Sequence, residues 1–287
     1  MNSSSFHPMA IPSDRHPQQL LSGGTTSSAQ PWTRMPYQDL TRFDGASTLR
    51  QWARLHAGHG RQALNPPSAE LAEGWALYHS GDFAEAVAIG LQHGRAGMAL
   101  VNQATAIYAN YLEPHEALRL SLFRQVFERA SAQSAAEPDD CDALYWQAYA
   151  LGRYSQCVSV ARALAQGLGS KVKGALERVI ALQPEHANAH IALGAFHAEV
   201  IDKVGALVGR MTYGVQAEQA MALFERGLEL HPQSVSGLME HARARLMLFG
   251  DGCMQDATRL YEQAAAVVPI DARERLDVEL AKAGLAE

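Results

Sequence analysis

The chain has 287 residues, 47% hydrophobic and 19% charged, with a net charge of -6. That is enough apolar material for one large or two ordinary domains, and an acidic balance argues against a dedicated nucleic-acid binder, which carries a basic face. No apolar run approaches the ~18–20 residues of a membrane span, and three scattered cysteines, Cys141, Cys157 and Cys253, with no CxxC, give no disulfide framework and fit a reducing, cytoplasmic setting.

Residues 1–30 are rich in Ser, Pro, Gln, Gly and Thr and lack the apolar core of an export signal. Such a segment does not offset its ordering entropy by burial, so a disordered tail is expected there. Residues 31–67 are expected to be a partly ordered extension, with Trp32, Tyr37, Phe43 and Trp52 as docking groups and a short helix from Ser47 to His56 capped by Ser47. Pro66-Pro67-Ser68 marks a boundary, and residues 68–287 are expected to be one helical domain. From Ser68 the helical period takes over: Leu71, Trp75 and Tyr78, a break at Ser80-Gly81-Asp82, then Phe83 to His93. Met98 to Leu112, His115 to Ser134, Ala143 to Tyr154 and Lys171 to Leu182 follow. The later helices are Ala187 to about Leu207, Ala217 to Leu230, Val235 to Phe249, Met254 to Val267 and Asp271 to about Ala283. No stretch alternates at period two, so the body is all-α.

One pattern recurs. Ala220-x3-Phe224-x2-Gly227-x4-Pro232 matches Ala257-x3-Tyr261-x2-Ala264-x4-Pro269, and Val172-x3-Leu176-x2-Val179-x4-Pro184 matches more loosely. Small residues let a second helix lie close to its neighbours, the aromatic fills the gap, and the proline ends the helix. The motif resembles the tetratricopeptide repeat (TPR), a helix-turn-helix unit of about 34 residues. The resemblance implies a right-handed α-solenoid of irregular helix pairs. The stop prolines Pro138, Pro184, Pro232 and Pro269 stand 46, 48 and 37 residues apart, longer than the regular unit. With the Tyr145-Trp146-Gln147-Ala148 helix and the Leu193-Gly194 helix lengthened by an insert, this order resembles the regulator of microtubule dynamics family and its bacterial relatives, over about 140–270. The irregular repeats also resemble the helical T component of TRAP uptake systems, which implies an alternative: a ligand-binding accessory protein whose pocket the inserts close.

His186, His190 and His197 share one helix, but His190 and His197 fall where these repeats place packing aromatics, so they are read as packing groups and no metal site is expected. No GxGxxG, GxSxG, HExxH or P-loop occurs, so neither catalysis nor a cofactor is expected. The expected function is that of a non-catalytic scaffold holding a peptide or protein partner in the solenoid groove. Counting from the stop prolines, the groove-facing residues are Asp142, Tyr145 and Tyr149; Asn188, Ile191 and Ala195; and Ser236, Met239 and Arg243. Aromatics, a methionine and an arginine suit an extended peptide or amphipathic helix. The apolar, glycine-rich insert at about 202–216 is expected to prolong its helix past Val204 and set Leu207, Met211 and Tyr213 over one end of the groove as a wall or lid.

Overall fold

Helix follows helix from Gly45 onward in a computed structural model that describes residues 32–37 and 39–286, and no strand occurs among the described residues. The expectation for residues 1–30 lies outside them. The described residues pack as one unit. It begins with α1 (Gly45–Leu55) and a 3₁₀ turn (Gly60–Leu64), followed by the pair α2 (Ala69–Ser80) and α3 (Phe83–Gln92). Next come α4 (Met98–Tyr111) with α5 (Glu116–Ala136), and α6 (Cys141–Gln156) with α8 (Leu168–Leu182), the short α7 (Val160–Ala165) lying between the last two. Then α9 (Ala187–Val204) pairs with α11 (Ala217–Leu230) across the insert helix α10 (Ala206–Tyr213), and α12 (Val235–Phe249) pairs with α13 (Met254–Ala265). A final helix, α14 (Ala272–Ala286), stands alone. The body is an all-α solenoid.

Local chemistry sets these boundaries. Ser68, Asp140, Ser234 and Asp271 each accept a hydrogen bond from the backbone amide three residues on, at 2.9–3.4 Å, satisfying one of the orphan amides at a helix start. Pro138, Pro184 and Pro232 fall just beyond the ends of α5, α8 and α11, where the lost amide costs no helical bond. The small residues of the motif act at the α9–α11 crossing. A Cβ on Gly194 would stand 3.0 Å from the Phe224 ring, and one on Gly227 would stand 2.7 Å from the Ile191 side chain and 3.1 Å from the Ala187 carbonyl. Both glycines therefore set how closely the two helices approach.

Three local expectations need correction. Helix α1 starts at Gly45 with Asp44 as its cap; Ser47 is the reciprocal partner in a capping box, its amide donating to the Asp44 carboxylate at 2.6 Å and its Oγ accepting from the Asp44 amide at 3.0 Å. The helix expected from Lys171 starts earlier, at Leu168, since Gly167 adopts a left-handed φ of 61° between α7 and α8 and the residues after it are helical. Nor does α9 project past Val204: Gly205, at φ 84° and ψ 155°, leaves helical geometry and turns the chain into a separate α10 that lies back on α9.

Residues 32–37 and 39–65 are stitched into the array. Trp32 stacks on Tyr108 at 4.0 Å, the Phe43 amide donates to Ser80 Oγ at 3.0 Å, and buried Trp52 meets Trp75 edge-on at 5.3 Å. The Gly58 carbonyl accepts from the Asn188 amide at 3.0 Å. At the other terminus α14 packs on α12 and α13 and also reaches α2, so it bridges the two ends of the solenoid. Asp271 fastens it: one carboxylate oxygen caps α14 through the Glu274 amide at 2.9 Å, and the other accepts from His79 Nδ1 at 2.7 Å, both side chains being buried. That bond fixes the His79 tautomer, so Nε2 accepts from His56 Nε2 at 3.3 Å.

Because Asp271 serves two partners, Asp271→Ala should cost about 2–4 kcal/mol in urea unfolding, the sum of a lost cap and an orphaned buried imidazole. Asp271→Asn, which keeps one acceptor for the Glu274 amide but presents an NH2 donor to His79, should cost less than the alanine variant. Equal losses in the two variants would contradict the double role.

Candidate functional site

The inner helices α6 and α9 lie side by side and point the same way: Tyr145 stands 5.0 Å from His186 at one end, and Gln156 donates to Glu199 at the other. Residues one helical turn apart line the space between them. Helix α6 contributes Tyr145, Ala148, Tyr149, Gly152, Arg153 and Gln156; α9 contributes Asn188, Ile191, Ala192, Ala195, Phe196 and Glu199. From Tyr145 to Gln156, and from Asn188 to Glu199, eleven steps of helical rise make a trough ~16 Å long. Val172 and Leu176 of α8 form one flank, Ser236 and Glu240 of α12 the other, and Tyr111 and Arg273 close the inner end. The free space amounts to about 120 Å³.

Charge in the trough is mostly spoken for. Arg153 donates to Glu240 at 3.0 Å and to Gln156 at 3.3 Å, and its guanidinium stands 5.4 Å from the centre of the Tyr149 ring. Burial works against that charge, but Tyr149 and Glu240 outweigh it and hold Arg153 protonated. Arg273 donates to Ser236 at 3.3 Å and faces Asp277 at 3.8 Å, while Tyr111 donates its hydroxyl proton to the other oxygen of Asp277. Burial opposes the Arg273 charge too, and Asp277 together with Tyr78, Tyr111 and Tyr145 offsets it. Glu199 differs. Burial, and then the Glu240 carboxylate, raise its pKa above the usual carboxylate range. Its one hydrogen bond is the Gln156 amide, and among the described residues no Lys or Arg nitrogen lies within 4.0 Å of it. The Tyr145 and Tyr149 hydroxyls and the Asn188 side-chain amide line the trough without a hydrogen-bond partner among the described residues.

Of the groove residues expected from the sequence, Tyr145, Tyr149, Asn188, Ile191, Ala195 and Ser236 line this trough. Tyr145 is only 4% exposed and packs on His59, Trp146 and His186, so it is a core residue with its edge toward the space. Three others lie elsewhere. Met239 is buried with Val235, Leu238, Ala264, Val278 and Ala281, because α14 covers that side of α12. Arg243, one turn beyond Glu240, turns outward to Tyr261 Oη at 3.2 Å. Asp142 sits half-buried in the first turn of α6 beside Asp140. In the insert, Leu207 and Met211 are 73% and 80% exposed and lie outside the trough. Gly205 turns α10 so that Gly209 packs toward Val200 and Val215, which leaves residues 207 and 211 on the outer face. Tyr213 does approach the trough, edge-on to Phe196 at 5.9 Å and against Gly169. His186 caps α9 through the Ala189 amide, His190 bonds the Pro184 carbonyl and His197 bonds Gln216, as packing groups do.

Residues missed by the count were Arg153, Gln156, Phe196 and Glu199, Glu240 and Arg273. The first four extend the Tyr145 and Asn188 series by further helical turns, a signal present in the sequence. Arg273 carried no such signal, since it arrives by the return of α14.

Paired helices, an inner row and a lined inner trough define a helical-repeat solenoid of the TPR class. The family model for regulator of microtubule dynamics protein 1-3 matches residues 91–283, and the chain belongs to that family. Among solved structures, a thermophilic TPR protein of Thermus thermophilus is similar with 18% identity and a TM-score of 0.53, over 75% of this chain and 97% of that one. The MamA protein aligns with 15% identity and a TM-score of 0.36 over 68% and 94% of the two chains. The human IFIT1 dimer with PPP-AAAA aligns with 14% identity and a TM-score of 0.43 over 78% and 57%. No curated protein matches the chain in sequence. No helix among the described residues is long and apolar enough to cross a membrane.

Asp142 yields a pH test. Burial, and then the Asp140 charge, push its pKa from 3.8 up to about 7. Between those values the folded state binds the extra proton, so the stability this group allows is complete at low pH and is lost as pH rises through about 7. Asp142→Asn should therefore melt several degrees above the parent at pH 8, with the difference shrinking as pH falls below 7 and closing only near 3.8. A difference independent of pH would show that the carboxyl is not the cause.

Proposed function

We propose that the protein is a non-catalytic interaction protein that holds a short segment of a protein partner in the trough between α6 and α9. The observation that carries this reading is the set of unpartnered hydroxyls and amide on an apolar floor: Tyr145, Tyr149 and Asn188 beside Ile191, Ala192 and Ala195. Groups of this kind recognise an extended backbone, which exposes alternating donors and acceptors. A trough of ~16 Å accommodates roughly five extended residues. The filled concave face favours such a short segment over a long helix, because α14 occupies the ground a helix would need. The family and the TPR-like fold support an interaction role, and the free cysteines Cys141, Cys157 and Cys253 suit a cytoplasmic setting.

Filling the floor tests the site. Ala195→Trp should lower the affinity for peptides selected on the parent protein at least tenfold while the melting temperature stays within a few degrees, as read by fluorescence anisotropy and circular dichroism. Tyr149→Ala, which empties one wall instead, should do the same. Selected peptides that bind both variants as tightly as the parent would place the site elsewhere.

A further inference from the structure

Glu199 is the charged group in the trough whose needs the fold does not meet. Arg153 has Glu240, Arg273 has Asp277 and Ser236, and Arg243 shares Glu240 at 3.7 Å while half exposed to water. Glu199 has a neutral amide alone, from exposed Gln156. Lys203, one turn on along α9, and Arg153 act on it only from beyond salt-bridge distance, and a half-buried carboxylate without a paired counter-ion is costly unless something outside the chain supplies one. Its surroundings suit a particular visitor. Phe196 lies one turn back on the same helix and Ala192 and Ala195 below it, an apolar track leading to the carboxylate, and Tyr149 lines the same trough from α6. Apolar track, aromatic face and terminal carboxylate together match a long aliphatic stem carrying a cation, whose methylenes are buried while its head is paired.

Resting on the reading of the trough as a peptide site, we propose that it is specific for a basic residue: a lysine or arginine side chain of the partner enters along Phe196 and pairs with Glu199. The charge of the chain agrees. From residue 68 onward it carries 27 acidic and 18 basic residues, so a basic segment approaches a surface of opposite sign. The opposite choice, an acidic segment, meets two obstacles: the arginines of the trough are already engaged, and Glu199 and Glu240 repel it.

The test is an array of random dodecapeptides probed with the full chain. Peptides that bind should be enriched in Lys or Arg at one position, and replacing that lysine by norleucine should weaken binding at least tenfold. Glu199→Gln, which removes charge and keeps shape, should weaken the lysine peptide by a similar factor and leave the lysine and norleucine peptides equal. Binders that Ala195→Trp abolishes but that are indifferent to norleucine would leave the trough as the site and overturn the basic-residue assignment. Binders unaffected by Ala195→Trp would overturn the trough reading and this assignment with it, as would an array with no binder at all. The norleucine comparison is made on the unaltered protein, so a folding defect in any variant does not blur the outcome.

Discussion

The buried contact between Asp271 and His79 joins residues 192 positions apart and holds the last helix against the first pair. An open solenoid needs only neighbouring repeats to touch, which makes its stability nearly one-dimensional. Here α14 converts a row into a closed arrangement, and the extra long-range contacts tie the end repeats to a common fate. The chemistry is demanding. Asp271 both caps a helix and accepts from His79, and His56 follows in the same chain of buried rings. Asp271 and His79 are satisfied through their neighbours, whereas His56 Nδ1 has no partner among the described residues, so loss of Asp271 strands His79 in a low-dielectric interior.

That closure also decides what kind of site remains. Met239 and Arg273 both come to the inner face, one covered by α14 and the other delivered by it. Where a free repeat array would offer a long concave surface, this chain keeps the stretch between α6 and α9. The helical repeat explains the regular spacing of its floor, while α12 and α14 supply the charged walls. Core and trough thus draw on the same residues: Tyr145 is core to one side and trough to the other, and Ser236 serves Arg273 while lining the trough.

Much of this was legible in the sequence, for physical reasons that differ from place to place. Helix ends were readable because Ser68 and the stop prolines act within one turn of where they sit. The tight α9–α11 crossing was readable because Gly194 and Gly227 leave a mark in composition. Six of nine groove positions fell on the trough because a helix of known register fixes which residues share a face. Met239 and Arg243 did not, since their surroundings depend on where α14 lies. The insert misled through its glycines: Gly205 and Gly214, both at positive φ, end helices, so the apolar run did not extend α9. Leu207 and Met211 then fell on the outer face of α10, which composition alone does not resolve.

The closure by α14 is the point on which the rest turns, and native-state amide hydrogen exchange measures it directly. If α14 belongs to the cooperative core, the amides of residues 276–281 exchange only through global unfolding, with the same denaturant dependence as those of α2 and α4. Exchange of 276–281 through a local opening of far lower free energy, while α2 and α4 stay protected, would show that the helix detaches on its own and that the concave face is open to partners along its length.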